Sequence, residues 1–469
     1  MYRPYGAKSR RRGPKRRGFS GFRGAHDTVA ELDGGLSRVE SGNSLRAPTG
    51  GAAAGMRLAS IGGLPWLAAI LGGAALHVLI WQFSEPPHIF SDFYKSYWVA
   101  AEKLWTGGLA ATYPFTIRGN WSNLPVIGWL YAPLAPLGQA EAAWTYWGLG
   151  LVLSLLGWAA LVRLARLAAP AAALLLFLFM ANGPLVNTLR EGNSTHLLLL
   201  PMAGSLLLWR AKREFAAGVA LGICATLKLP LLLLGVYFVL CRRWWIVAGG
   251  ATAISAAVLA SVAIFGIDAH IQWYADAIQP HTGATLPSFN VQSIDAFVMR
   301  LSTGARLLRD WAPIAPAPWQ TIAQVALMAA IYCGAFWVLL RARQRDPAAG
   351  SNDMTGRNLV EFSVVLIIAL VTSRITWTHY YALLLLPIAL YLGDQLSIAD
   401  DRATHTLMRR SIVLVSLPVV IPDLGSGPVA EIAARTLISA WLGGGLLMFW
   451  ALLRGAACCP RPGDPHGRN

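Results

Sequence analysis

The run REFAAGVALGICATLKLPLLLLGVYFVLCR, from Arg213 to Arg242, decides how this chain is built. Between its basic ends lie about 26 mostly apolar residues, interrupted by Lys228-Leu229-Pro230. Lys and Arg in short loops favour the cytoplasmic side of a membrane, so one straight helix here would put two basic ends on opposite sides. Two half-length helices meeting at Lys228 keep both ends inside. Each half has about 13 residues, roughly 20 Å at 1.5 Å per residue, against a hydrocarbon core of roughly 30 Å. Lys228 is therefore expected at the tip of a hairpin, submerged below the outer surface.

The composition agrees with a membrane reading. Of 469 residues, 55% are hydrophobic and only 13% charged, more apolar surface than a soluble domain can hide. The chain reads as an all-α polytopic membrane protein, with 19 Trp suited to headgroup level or to helix packing. The net charge of +16 sits mostly in a tail and in short loops, where it sets topology, so nucleic acid is not an expected partner. The five Cys imply no disulfide framework.

Working outward, residues 1–56 carry nine Lys and Arg before the first acid, Asp27, and read as a disordered basic cytoplasmic tail. Leu64 to Phe83 is the first expected crossing. It is followed by Ala142 to Val162, Pro170 to Val186, Thr195 to Trp209, the Lys228 hairpin, Trp244 to Phe265, Trp319 to Leu340, Leu359 to Thr372 and a helix ending near Leu396. A last pair, Ser411 to Pro422 and Arg435 to Leu453, completes about twelve crossings with both termini inside. Leu124 to Gly138, broken by Pro125, Pro133 and Pro136, reads as re-entrant or interfacial. The expected organisation is a catalytic module over 57–396 with outer loops 84–141 and 266–318, a C-terminal helix pair over 397–454 and a tail over 455–469.

Just after the first crossing comes SDFYKSYWVAAEKLWTGG, Ser91 to Gly108. As a helix it places Phe93, Tyr97, Ala100, Ala101, Leu104 and Trp105 on one face, with Lys95, Val99, Glu102, Lys103 and Thr106 on the other. The expectation is an amphipathic helix in the outer membrane interface that holds Asp92 at its first turn.

Parity then places Asp92, Arg190, Glu191, Asn193, Lys228, Asn290, Gln292, Ser293, Arg374 and His379 on the same outer side. Ionisable groups at that depth are costly and usually face a cavity or a partner. Arg190, Lys228, Arg374 and His379 could clamp a phosphate, while the Asp92 carboxylate takes a proton from a hydroxyl. Transfer of a sugar from a lipid phosphate needs those two services. With one base and no second carboxylate as nucleophile, a single displacement inverts the anomeric centre, as in inverting glycosidases.

Each residue also has a structural alternative. Asp92 could complement a helix N-terminus, and Arg190 could pair with Glu191. Lys228 could snorkel, and His379, between Trp377 and Tyr380, could be an interfacial residue. Asn290, Gln292 and Ser293 could cap the helix suggested by Ile294 to Leu301. Two glycosylation-type triplets, at Asn120 and Asn193, are too short to carry weight. No metal-ligand cluster and no Gly-rich nucleotide loop is present in the sequence, which argues against a nucleotide-sugar donor.

Five segments in order carry a resemblance. They are Asp92-Phe93 with Tyr97, Ala100, Leu104 and Gly107; Arg190-Glu191-Gly192-Asn193 opening a Leu-rich helix; Ala217-Gly218 to Lys228-Leu229-Pro230; Asn290-Val291-Gln292-Ser293; and Ser373 to His379 through Trp377. Together they resemble the polyprenyl-phosphate-sugar-dependent mannosyl- and arabinofuranosyltransferases of mycobacterial envelopes, within the C-type (GT-C) glycosyltransferase superfamily. The resemblance covers roughly residues 64–396. It implies a GT-C-like bundle in the bacterial inner membrane with its active site facing the periplasm. It also implies an inverting transfer from a polyprenyl-phosphate sugar to a glycolipid or glycan acceptor; no cofactor is expected, and the lack of a metal-ligand cluster argues weakly against a metal. Asp92 takes the role of base and His379 joins it as a catalytic residue. Arg190, Glu191, Asn193, Lys228, Asn290, Gln292, Ser293, Arg374 and Trp377 take the donor and substrate side. Asn193 stands where the family often has Gln, one methylene longer, a departure that bears on which sugar is the donor more than on the reaction. The competing reading, a transporter or flippase of a lipid-linked sugar, expects polar groups on both sides of the midplane and paired broken helices, and neither pattern is found in the sequence.

Overall fold

The computed structural model describes residues 63–82, 89–108, 113, 121–345, 354–419 and 427–458 of the chain. The basic 1–56 tail, Asn120, parts of the expected 84–141 loop and residues 459–469 lie outside the described residues. What is described is helical, with two isolated bridges, Thr285 to Ile314 and Val291 to Trp377, and no strand.

Five helical runs are long and apolar enough to cross a membrane: Leu64–Gln82, Gln139–Ala165, Trp244–His281, Pro318–Gln344 and Pro428–Cys458. A sixth arises if Ala169–Ala181 and Gly183–Glu191, bent by 46°, count as one span. This is fewer than the expected twelve, and the difference lies in helices too short to cross alone. Glu214–Leu227 and Leu229–Leu240 form the broken pair at Lys228, while Thr378–Leu392 and Pro125–Leu137 are the other short apolar pieces. Pro125–Leu137 consists of two 3-10 turns, Pro125–Leu130 and Ala132–Leu137, as its three prolines require. The final helix, Ala440–Cys458, runs into the stretch expected as a C-terminal tail.

Leu64, Leu71, Leu259, Ile322 and Val325 are exposed along the long apolar helices, the pattern expected of lipid-facing positions. The interior is built around Gly356–Thr372 and Thr378–Leu392, which are buried on nearly every side. One buried carboxylate ties three elements together. Glu361, on Gly356–Thr372, accepts from Arg343 Nε at 2.7 Å and from Tyr237 Oη at 3.1 Å. Trp244–Trp273 is broken at Gly266 (φ +78°), and Ser261 Oγ lies 2.8 Å from His270 Nε2 across that break.

The Lys228 hairpin is seated by glycine. A Cβ on Gly218 would lie 2.0 Å from the Ile246 carbonyl oxygen, and one on Gly249 would lie 2.0 Å from that of Phe215. Small residues let these backbones touch. Gly249→Ala is expected to cost about 1–3 kcal/mol through overpacking and to lower the unfolding midpoint in detergent. Gly235→Ala, inside the helix Leu232–Leu240 where nothing lies within 4 Å, is the control and leaves the midpoint unchanged or raises it slightly.

Candidate active site

The Asp92 segment begins as a π-turn, Phe93–Trp98, and continues as an α-helix, Val99–Gly107. Phe93, Tyr97, Ala100, Ala101 and Leu104 are buried as the pattern predicts, but Trp105 is 55% exposed and Trp98 is buried in its stead. The π-turn is the reason, since its wider i→i+5 repeat rotates the register that a uniform 3.6-residue period assumes. The buried face packs on protein: Phe93 stacks on Tyr146 (5.2 Å) and Tyr97 on Tyr131 (4.4 Å).

Asp92 is brought to its partner by a tight turn. The helix Gly183–Glu191 ends at Gly192 in the left-handed region (φ +68°), and a Cβ there would meet Phe93 Cβ at 2.6 Å. Only glycine satisfies both the dihedral and the approach. Phe90 N donates to the Arg190 carbonyl at 2.7 Å, fixing the same junction.

Asn193, the next residue, is the hub. Its Nδ2 donates to Asp92 Oδ2 at 2.8 Å. Its Oδ1 accepts from Lys228 Nζ at 3.2 Å, Thr195 N at 3.1 Å and Thr195 Oγ1 at 3.0 Å. Lys228 lies at the break between the two short helices, 6% exposed, with its ammonium 4.6 Å from the centre of the Tyr380 ring. A carboxylate and an ammonium are thus joined through one amide.

Asp92 lies beyond the first span and is half-buried. Burial pushes its carboxyl up to about 6, with Glu191 adding to the rise. The Asn193 hydrogen bond and the charges of Lys228 and Lys95 oppose it. Glu191 itself accepts from Ser91 Oγ and pairs with Arg190 at 3.0 Å. Arg190 Nη2 also donates to Asn187 Oδ1 at 2.6 Å, and Nη1 to the Val419 carbonyl at 3.4 Å. Arg190 and Glu191 therefore stand behind the hub, in the pairing that sequence offered as their structural alternative.

His379, 6% exposed, precedes Tyr380, and its Nε2 has no protein hydrogen-bond partner among the described residues. Two neighbours were missed by the sequence reading. Tyr380 carries the Lys228 ammonium on its ring, although as one more aromatic near a helix start it gave no special signal. His196, 1% exposed, has Nδ1 3.4 Å from Thr188 Oγ1 and its ring 5.7 Å from Tyr146. Its place three residues after Asn193 was the available signal, hidden by the Leu-rich run that follows.

The remaining candidates form a second group. Gln292 is fully buried and committed to backbone: Nε2 donates to Phe289 and Ile438 carbonyls, both at 2.7 Å, and Oε1 accepts from Leu442 N at 3.3 Å. Ser293 caps Ile294–Thr303 by accepting from Ala296 N at 3.2 Å. Arg374 pairs with Asp295 (3.2 Å), and Asn290 Oδ1 accepts from Trp311 Nε1 (3.0 Å). Trp377 is bridged to Val291, while Gln292 N donates to the Thr376 carbonyl at 2.7 Å and Thr378 N to that of Asn290 at 2.7 Å. These bonds fix the backbone on either side of His379's segment. No direct bond joins this group to Asp92, Asn193 or Lys228 among the described residues.

A bundle of membrane-length helices that closes around an amide-bridged acid and base has the equipment of a membrane-bound transferase. Residues 121–367, just over half of the chain, match the model of Glycosyltransferase family 87, and the chain belongs to that family. No curated protein and no solved structure matches it. The matched stretch contains Arg190, Glu191, Asn193, Lys228, Asn290, Gln292 and Ser293, and it leaves Asp92, Arg374, Trp377 and His379 outside.

Proposed function

We propose that this glycosyltransferase moves a monosaccharide, a hexose of the mannose type, from a polyprenyl-phosphate donor to a hydroxyl of a glycolipid or envelope glycan. It does so on the periplasmic side of a bacterial inner membrane, with inversion. The observation that carries the reading is the Asp92–Asn193–Lys228 bridge beside His379. In one displacement the acceptor oxygen bonds to the anomeric carbon, the bond from that carbon to the phosphate oxygen breaks, and polyprenyl phosphate leaves. The acceptor's proton goes to Asp92, and the Lys228 ammonium stabilises the charge gathering on the departing phosphate. The unpartnered Nε2 of His379 bonds the donor in this reading. In this reading Gln292 and Ser293 support the His379 segment, and the Asp92 helix borders the acceptor's path at the membrane interface.

The base must be ionised, so kcat/KM is expected to fall on acidification with a midpoint near pH 6, the value set on Asp92. Purified protein in vesicles, given synthetic polyprenyl-phosphate mannose and a glycolipid acceptor across pH 5–9, provides the profile. NMR of the product gives the anomeric configuration. Retained configuration, or lipid scrambling with no new glycosidic bond, overturns the reading.

A further inference from the structure

We infer that Asn193 is a positioning residue that fixes the Asp92 carboxylate relative to the Lys228 ammonium, and so sets the spacing between acceptor hydroxyl and donor phosphate rather than touching either substrate. The inference rests on the reading of Asp92 as base and Lys228 as phosphate holder.

The amide has one usable orientation. Its oxygen faces three donors, Lys228 Nζ and the backbone nitrogen and hydroxyl of Thr195, and its nitrogen faces a carboxylate oxygen. A flipped amide would set oxygen against oxygen at 2.8 Å and nitrogen against two obligate donors, the Lys228 ammonium and the Thr195 backbone N–H. The two Thr195 bonds anchor the side chain to its own turn, so the reach of the amide is set by one methylene from a backbone that Gly192 and Phe93 lock in place. A carbonyl oxygen has two lone pairs, and the Lys228 bond is the longest of its three. The ammonium is held between Asn193 on one side and the Tyr380 ring on another, with its remaining side open for a phosphate. Asn193 is 6% exposed, and its oxygen and one of its N–H donors are spent on the protein, as befits a spacer.

Asn193→Asp tests this with the fold kept, because the new side chain has the same shape and still accepts from Thr195 and Lys228. What changes is the bond to Asp92, where a donor becomes a second carboxylate sharing a proton. The acidic midpoint of kcat/KM is expected to rise by about two pH units, with transfer at pH 7 down about tenfold and recovering toward pH 9. Asn193→Gln keeps the donor on a longer arm. It is expected to hold the midpoint near that of the unmodified protein and lower kcat by about 10- to 100-fold through misplacement of the order of 1 Å. Asp92→Asn is assayed alongside. If Asp92→Asn is inactive but Asn193→Asp keeps the unmodified midpoint and rate, the inference is overturned while the base assignment stands. Full activity of Asp92→Asn overturns both.

Discussion

Asp92→Asn is expected to lower sugar transfer by about 10²- to 10⁴-fold, the range that a positioned base contributes. The substitution is isosteric, and the new amide can turn its oxygen to the Asn193 Nδ2 that now donates to Asp92 at 2.8 Å. The turn, the stacked Phe93 and Tyr146 and the Lys228 hairpin are untouched, so the protein inserts and binds donor as before. Equilibrium binding of the polyprenyl-phosphate sugar, measured beside initial rates, separates the two effects. Unchanged donor affinity with lost turnover is the expected pattern, and a rate within a few-fold of the unmodified enzyme would refute the assignment of Asp92 as base.

The second large effect is expected at Lys228. Lys228→Met keeps an unbranched apolar stem one atom shorter but removes the charge from a site that is 6% exposed, where electrostatic stabilisation is worth more than in water. Loss of one such preorganised donor costs about 10²- to 10³-fold in rate, and donor KM is expected to rise with it. A further sign is fixed by charge: Lys228 holds the Asp92 carboxyl down, so its removal moves the acidic midpoint of activity upward from about 6. Lys228→Arg restores charge but replaces a compact ammonium over the Tyr380 ring with a planar fork, and only partial recovery is expected. Unchanged KM, kcat and pH midpoint in Lys228→Met would remove Lys228 from the chemistry.

Much of this was legible because it is local. The Lys228 break follows from run length, flanking charge and Pro230, and the first span, Leu64–Gln82, ends within a residue of its expected limit. Ser293 is the helix cap that residue type and spacing allow. The illegible part is non-local. Gln292 looks like a substrate amide in sequence, yet the groups that engage its side chain include Ile438 and Leu442, about 150 residues later. The rotated face that buries Trp98 in place of Trp105 depends on a π-turn, which hydrophobic period does not announce. The Lys228 pair, expected as two half-length helices, is found as two helices each too short to cross alone, Glu214–Leu227 and Leu229–Leu240.

The chain positions of the site's parts bear on how the enzyme comes into being. Asp92, Asn193 and Lys228 all belong to the first half of the chain, whereas His379 and the Tyr380 ring beneath the ammonium belong to its last quarter. During synthesis the acid, amide and ammonium are made well before their aromatic support exists. A nascent chain halted after residue 345 lacks the Tyr380 ring that the Lys228 ammonium faces and is expected to show no transfer in a donor assay. On the proposed reading competence waits for the late segment, and turnover would then be a readout of completed biogenesis.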